Sequence, residues 1–173
     1  MQKARVIITP ILHCRRMCSY CCNGQSNIVD SMVHIESLAD IPHRDKIMFT
    51  GGEPIDHIDL TFDAIAHANT LEFKTIYLYT ARWHPALALM VENLNGIHFT
   101  LHQGATERDI CEFEMFQEVA CLYPDKSFRL AIDPTIQHKI KLTPRAWREI
   151  RVKHWRLGEE CIVPVDETLY RLR

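Results

Sequence analysis

The sequence predicts an α/β domain built on parallel strands, and three observations carry that prediction. Short apolar runs rich in β-branched and aromatic residues alternate with longer stretches of helical periodicity. Strand and helix in strict alternation require parallel pairing with helical crossovers. The chain has 173 residues, and a closed eight-unit barrel rarely fits below about 200. Five or six units fit, so the expected architecture is an incomplete (βα)5–6 parallel barrel, with a flat doubly wound sheet as the runner-up. Either arrangement places function at the carboxyl ends of the strands.

The elements follow in order. Strands are expected over residues 5–12, 46–50, 75–80, 97–101 and 127–132, with a sixth in 153–157 or 161–165. Ile58, Phe62 and Ile65 share one helical face, as do Leu87, Met90, Val91 and Leu94. Thr106 and Asp109 form a capping-box-like start for a helix running to about Leu122, with Pro124 as its stop. A weaker helical pattern covers 31–38. Without repeat, linker or low-complexity tract, the chain reads as a single domain over 1–173. Its core spans about 5–133, and a basic segment over about 137–173 completes the fold.

Composition narrows the classes. With 47% hydrophobic and 24% charged residues the chain is ordinary globular protein, and a net charge of −2 names no partner. No apolar run is long enough to span a membrane, and the first twelve residues make a poor signal peptide. Seven cysteines, an odd number without secretory context, argue against a disulfide framework. They fit a reducing cytoplasm and metal-binding or reactive thiols.

Four of those cysteines fall within nine residues, in LHCRRMCSYCCNG after the first expected strand. Cys14, Cys18 and Cys21 form C-x-x-x-C-x-x-C, with Tyr20 before the last. Three thiolates so spaced can hold three corners of an iron–sulfur cube and leave the fourth iron open to a ligand, where electron-transfer clusters take four cysteines. Three alternatives compete. A thioredoxin-like Cys18/Cys21 pair leaves Cys14 surplus; zinc wants a second C-x-x-C or paired histidines at matching spacing; plain core cysteines do not keep company with Arg15, Arg16 and Ser19. Cys111 and Cys121 read as buried helical residues, Cys22 as pointing away from a cluster, and Cys161 as a minor candidate redox partner.

The second motif, FTGGEP, ends the second expected strand. Gly51, Gly52, Glu53 and Pro54 read as an ordinary turn, or as glycines that bare the backbone to a ligand. Together the two motifs resemble the radical S-adenosylmethionine (radical SAM) superfamily. The resemblance implies a radical SAM core in which Cys14, Cys18 and Cys21 bind a 4Fe–4S cluster. The open iron would then chelate the amino and carboxylate groups of S-adenosylmethionine. Gly51, Gly52, Glu53 and Pro54 would line the methionine end, and Tyr20 would lie near the adenine. LYTAR (78–82) supplies Thr80 where many members carry a Thr-Asn-Gly-like segment, with Ala81 and Arg82 departing from it. TLHQGATERD (100–109) supplies Thr100 and His102, with Gln103 pushing the glycine one place late.

The activity so implied is reductive cleavage of S-adenosylmethionine to a 5′-deoxyadenosyl radical that abstracts hydrogen from a substrate. It needs a low-potential donor, a flavodoxin or ferredoxin. On this reading Glu53→Gln weakens S-adenosylmethionine binding more than it disturbs the fold. For the substrate, residues 138–156 hold Lys139, Lys141, Arg145, Arg148, Arg151, Lys153 and Arg156 with Trp147 and Trp155 interleaved. That composition suits a nucleotide or nucleic-acid base, or else a solvated amphipathic helix. Two other substrate classes fit: a glycyl-radical protein, from C-x-x-x-C-x-Tyr-C-x-Asn ending at Asn23, and a small metabolite bound by Arg129 and Asp133 or left free by their mutual ion pair.

Overall fold

A computed structural model describes residues 2–8, 14–156 and 160–173. Among them lie eight strands: β1 (Lys3–Ile8), β2 (Val33–Ile35), β3 (Lys46–Thr50), β4 (Ile76–Thr80), β5 (Gly96–Leu101), β6 (Ser127–Ile132), β7 (Glu149–Val152) and β8 (Glu167–Leu172). They form one all-parallel sheet in the order β2-β8-β1-β3-β4-β5-β6-β7. The helices are α1 (Ser26–Val29), α2 (Ile58–Thr70), α3 (Ala86–Met90), α4 (Glu107–Ala120) and α5 (Pro134–Gln137).

Alternation along the strands separates two faces. Ala4, Val6, Ile47, Phe49, Ile76, Leu78, Ile97, Phe99, Phe128 and Leu130 are buried against Ile65 and Ala68 of α2 and Phe113 and Phe116 of α4. The intervening residues, Arg5, Met48, Tyr79, His98 and Arg129 among them, look the other way. A cavity of about 200 Å³ on that polar face is lined from seven consecutive strands, from Glu167 of β8 round to Arg151 of β7. A single small cavity reaches seven strands only when the sheet curls around it, which is compatible with a partial barrel. Gly96 lies inside the curl: a Cβ there would meet the Ser127 carbonyl oxygen at 2.0 Å and the Tyr77 ring at 2.8 Å.

The expected strands at 46–50 and 127–132 coincide with β3 and β6, and those at 75–80 and 97–101 differ by one residue. The helix starting at Thr106 forms with its full capping box, and Leu87, Met90, Val91 and Leu94 are buried together. Three expectations are corrected. Residues 31–38 contain β2 and part of a 3₁₀ turn instead of a helix, because Val33 and Ile35 pair with β8. The late strands are β7 and β8, outside both 153–157 and 161–165. The basic segment is not a helix: it holds a 3₁₀ turn at Pro144–Ala146 and the edge strand β7. Residues 9–12 of the first expected strand and 157 of a late one lie outside the described residues.

No helix among the described residues is long and apolar enough to cross a membrane.

Candidate functional site

Every residue singled out by the two motifs lies beyond or at the carboxyl end of a strand: the cysteine loop after β1, Gly51 to Pro54 after β3, Thr80 ending β4, Thr100 and His102 at the end of β5, Asp133 after β6. Arg16 fastens the cysteine loop to this edge. Its guanidinium pairs with Asp109 and donates to the Ala81 carbonyl at 3.2 Å. Asp109 is the same carboxylate that closes the capping box of α4, accepting from the Thr106 N–H at 2.8 Å. A sequence scan sees Arg16 only as a charged residue near cysteines; its partners come from two other strand ends.

Cys14, Cys18 and Cys21 are free thiols of intermediate exposure. Cys14 accepts from the Arg16 N–H at 3.4 Å, and burial pushes its thiol pKa up. The Met17 backbone between them is left-handed (φ 43°) and its side chain is 87% exposed. Cys22 is disulfide-bonded to Cys161, one such bond where the seven cysteines argued against a disulfide framework. The pair ties the cysteine loop to the segment that leads into β8, where the Cys161 N–H donates to Gln25 Oε1 at 2.8 Å and Asn27 donates to the Cys161 carbonyl at 3.0 Å. Cys111 is exposed, not buried, and Cys121 is intermediate.

The GGEP turn has a physical explanation of its own. Gly51 adopts φ 128°, which L side chains rarely tolerate. Glu53 is 2% exposed, and its carboxylate accepts from the Thr80 hydroxyl at 2.5 Å, the Ala81 N–H at 2.9 Å and the Ile55 N–H at 3.2 Å. Burial raises its pKa, and these three donors oppose the rise. Pro54 opens the next turn and accepts the Thr61 hydroxyl at 2.9 Å. Glu53 therefore joins the ends of β3 and β4 from within, and Thr80 is committed to it. Glu53 thus has a structural role in the fold beside the ligand role that the resemblance implies.

The departure at Ala81-Arg82 also finds a reason. Arg82 bridges Asp56 at 2.6 Å and Glu112 at 3.2 Å, and Glu112 caps the Trp83 N–H at 3.2 Å. Burial works against ionisation of Glu112, but Arg82 and Arg108 hold its carboxyl below the usual range.

Tyr20, His102 and Trp155 form an aromatic group at the same edge, with ring centroids 5.5 Å (Tyr20–His102) and 4.7 Å (His102–Trp155) apart. Burial raises the Tyr20 pKa. Burial, with Arg16 nearby, pushes His102 down to about 4. Its Nδ1 is buried without a hydrogen-bond partner. Trp155 was legible in the sequence only as one aromatic of the basic segment.

The remaining expected residues separate. Asp133 is 1% exposed and caps α5, accepting from the Thr135 N–H at 2.9 Å and hydroxyl at 2.6 Å; burial opposes its ionisation, but these donors hold its pKa low. Arg129 instead lies 3.6 Å from Glu149, so the two are not each other's ion pair. Trp147 is buried, stacks on Phe113 at 5.6 Å and donates to Gln117 at 3.1 Å, which removes it as a stacking face. Arg145 and Arg148 are exposed and precede β7, and the Arg148 N–H bonds to Phe128 at the start of β6. They sit at the amino edge of the sheet, opposite the cysteine loop. Lys153, Trp155 and Arg156 follow β7 and sit at the carboxyl edge.

Among the described residues no three His, Cys, Asp or Glu side chains form a group that could hold a metal ion. Comparison with protein-family models, curated proteins and solved structures gives no match to the chain.

Proposed function

We propose that this chain is a radical SAM enzyme on a partial-barrel core, with Cys14, Cys18 and Cys21 as the three protein ligands of a 4Fe–4S cluster. The observation that carries the reading is positional. Two motifs separated by nearly thirty residues of sequence, CRRMCSYC and GGEP, come to one edge of one parallel sheet, and Arg16 ties the first to the end of β4. The donor set fits the group: three free thiols on one loop, none spent in a disulfide. A cube engages each thiolate at a different iron, so the three need not converge on a single point.

When bound, the cluster and S-adenosylmethionine supply one-electron cleavage of the sulfonium bond, with a flavodoxin or ferredoxin as electron donor, and hydrogen abstraction by the resulting 5′-deoxyadenosyl radical. The protein's own part is positional and dielectric. Gly51 and Gly52 bare backbone groups toward the edge. Glu53 fixes the turn through its three donors and sets its carboxyl group behind the turn, where an ammonium group would find a partner. Tyr20 and His102 offer ring faces for a base, with Thr100 one step below on the same face as His102. His102, held neutral, adds no positive charge that would repel a sulfonium.

For the substrate we keep a nucleotide or nucleic-acid base. The support is Trp155 with Lys153 at 5.6 Å from its ring and Arg156 next in sequence, all at the carboxyl edge. The test is anaerobic reconstitution with iron and sulfide, then dithionite and S-adenosylmethionine. The expected products are one four-iron cluster per chain and 5′-deoxyadenosine, both lost in Cys14→Ala, Cys18→Ala or Cys21→Ala and kept in Cys111→Ala. Stoichiometric zinc with no iron uptake would overturn the assignment. Deuterated nucleosides and nucleotides then identify the hydrogen donor by label in 5′-deoxyadenosine, and Lys153→Glu with Arg156→Glu is expected to weaken nucleic-acid binding and its salt dependence.

A further inference from the structure

The cavity of about 200 Å³ belongs to the other end of the sheet. Lys3, Lys46, Glu149 and Glu167, which help line it, are the first residues of β1, β3, β7 and β8. From Lys46 to Thr50 the strand climbs roughly 13 Å at about 3.3 Å per residue. These four residues set the cavity's amino-terminal side, Tyr79 near the end of β4 is among the lining residues closest to the carboxyl edge, and nothing in the proposed radical chemistry uses the cavity.

Its charges do not balance. Among the described residues, Lys3, Arg5, Lys46, Arg129 and Arg151 lie on this face with Asp166, Glu149 and Glu167 against them: five cations and three carboxylates. Lys3 takes Asp166 at 2.6 Å and Arg5 takes Glu167 at 2.5 Å. Arg151 and Arg129 must share Glu149. Lys46 has no carboxylate partner among the described residues and rests over the Tyr77 ring at 4.5 Å.

Donors on the same face are left over as well. The Nε atoms of Arg5 and Arg129 and the Ser127 hydroxyl are buried without a hydrogen-bond partner, and Ser127 is 4% exposed. Among the described residues the Tyr79 hydroxyl meets the Met48 sulfur, at 3.7 Å, a weak acceptor. Buried donors and unmatched cations cost free energy unless an acceptor meets them. His98, stacked on Tyr79 at 4.6 Å, is held neutral by burial and by Arg129 and Arg151; it contributes no further positive charge but keeps an N–H to offer.

We infer that this amino-terminal mouth is a binding site for a small oxyanion, the phosphate or carboxylate group of a small molecule, held by Lys46 and Arg129 with the Tyr79 hydroxyl. A cavity of this size lies below the range of drug-sized pockets and suits an anionic group rather than a whole cofactor. A self-contained ion-pair network is the competing account, and it would pair Lys46 with a carboxylate.

The experiment uses the full chain in phosphate- and sulfate-free buffer, and needs neither cluster nor S-adenosylmethionine, so it can fail while the radical SAM reading stands, and the reverse. Inorganic phosphate, succinate and sodium chloride are titrated at matched ionic strength while thermal unfolding and the His98 imidazole resonance are followed, the resonance being assigned by its loss in His98→Gln. Saturable stabilisation by phosphate but not chloride is expected, with Lys46→Gln raising the half-saturating concentration at least tenfold and Lys74→Gln, in an exposed pair with Asp45, leaving it unchanged. Response to succinate in place of phosphate would assign the same site to carboxylates. Phosphate and succinate both indistinguishable from chloride, or Lys46→Gln binding as tightly as wild type, would overturn the inference. If Lys46→Gln does not fold, the wild-type His98 resonance decides: a saturable shift supports the site, and a drift identical to that in chloride rejects it.

Discussion

Arg82, just past the carboxyl end of β4, and Lys46, the first residue of β3, are both partly buried cations on one sheet. Arg82 meets two carboxylates and fills both arms of its guanidinium. Lys46 meets an aromatic ring. The contrast extends along each edge. At the carboxyl edge Glu53, Asp109 and Asp133 are buried, and each accepts at least two hydrogen bonds. At the amino edge, among the described residues, five cations face three carboxylates. A matched edge holds its shape before any ligand arrives, which is what positioning a reactive group requires. An unmatched edge is under strain that an anion would relieve.

Breaking the matched edge should have the largest effect. Glu53→Leu leaves the Ala81 and Ile55 N–H groups without acceptors inside the protein and the Thr80 hydroxyl with the Arg82 carbonyl alone, at 3.0 Å, at an expected cost of about 3–5 kcal/mol, measured by urea unfolding of the metal-free chain. Glu53→Gln keeps one acceptor oxygen and should lose about 1–2 kcal/mol. If Glu53→Leu lost less than about 1 kcal/mol, the edge would not be held by this carboxylate. Gly96→Ala attacks the curl at the other end. The added carbon meets backbone at 2.0 Å, which a side-chain rotation cannot relieve, so about 2–3 kcal/mol should be lost; a neutral result would mean that the sheet is flatter there.

How far the sequence reveals these two edges follows from where the information lies. β3 and β6 are legible because both are central strands with an apolar face on the helices, and apolar periodicity marks such strands. β7 is an edge strand whose Ile150 and Val152 remain 38% and 56% exposed, so no buried face shapes its sequence; its basic residues suit an edge that must not pair further. β8 depends on partners far away in sequence, β1 and β2. The cysteine and GGEP motifs are legible because each is local. Arg16, the Glu53–Thr80 pairing and the Cys22–Cys161 bond join distant segments, and nothing at either end announces the other. The basic segment misleads because composition counts its seven cations together, whereas β7 runs between them and sends Arg145 and Arg148 to one edge and Lys153 and Arg156 to the other.

The amino edge should also show in the pH dependence of stability. His98 titrates near 4 in the folded chain, pushed down chiefly by burial and then by Arg129 and Arg151, against an ordinary value of 6.5. Between those values the unfolded chain takes up the proton and the folded chain does not. His98 therefore leaves stability intact above about pH 6.5 and withdraws it as pH falls toward 4, by up to about 3 kcal/mol. His98→Phe keeps the stack on Tyr79 and removes the titration, so its stability should fall less steeply over this window than that of wild type. Equal slopes would show that His98 is open to solvent.

The smallest effect has the most telling sign. Lys46→Met removes a cation whose charged form burial already disfavours, followed by repulsion from Arg129 and Lys3, and keeps an unbranched stem over Tyr77. Replacing an unpaired, partly buried charge by an apolar side chain of similar length is expected to raise stability by up to roughly 1 kcal/mol in phosphate-free buffer. Arg82→Met, the matching change at the other edge, strands Asp56, leaves Glu112 to Arg108 and the Trp83 N–H, and should lower it by about 2–3 kcal/mol. Phosphate sharpens the test, because an anion that stabilises wild type through Lys46 narrows or reverses the advantage of Lys46→Met as its concentration rises. Denaturant unfolding of wild type and both variants with and without phosphate, at constant ionic strength, measures the six values needed. Loss of stability in Lys46→Met without phosphate would mean that the lysine is matched in the folded protein, and the difference between the two edges would vanish.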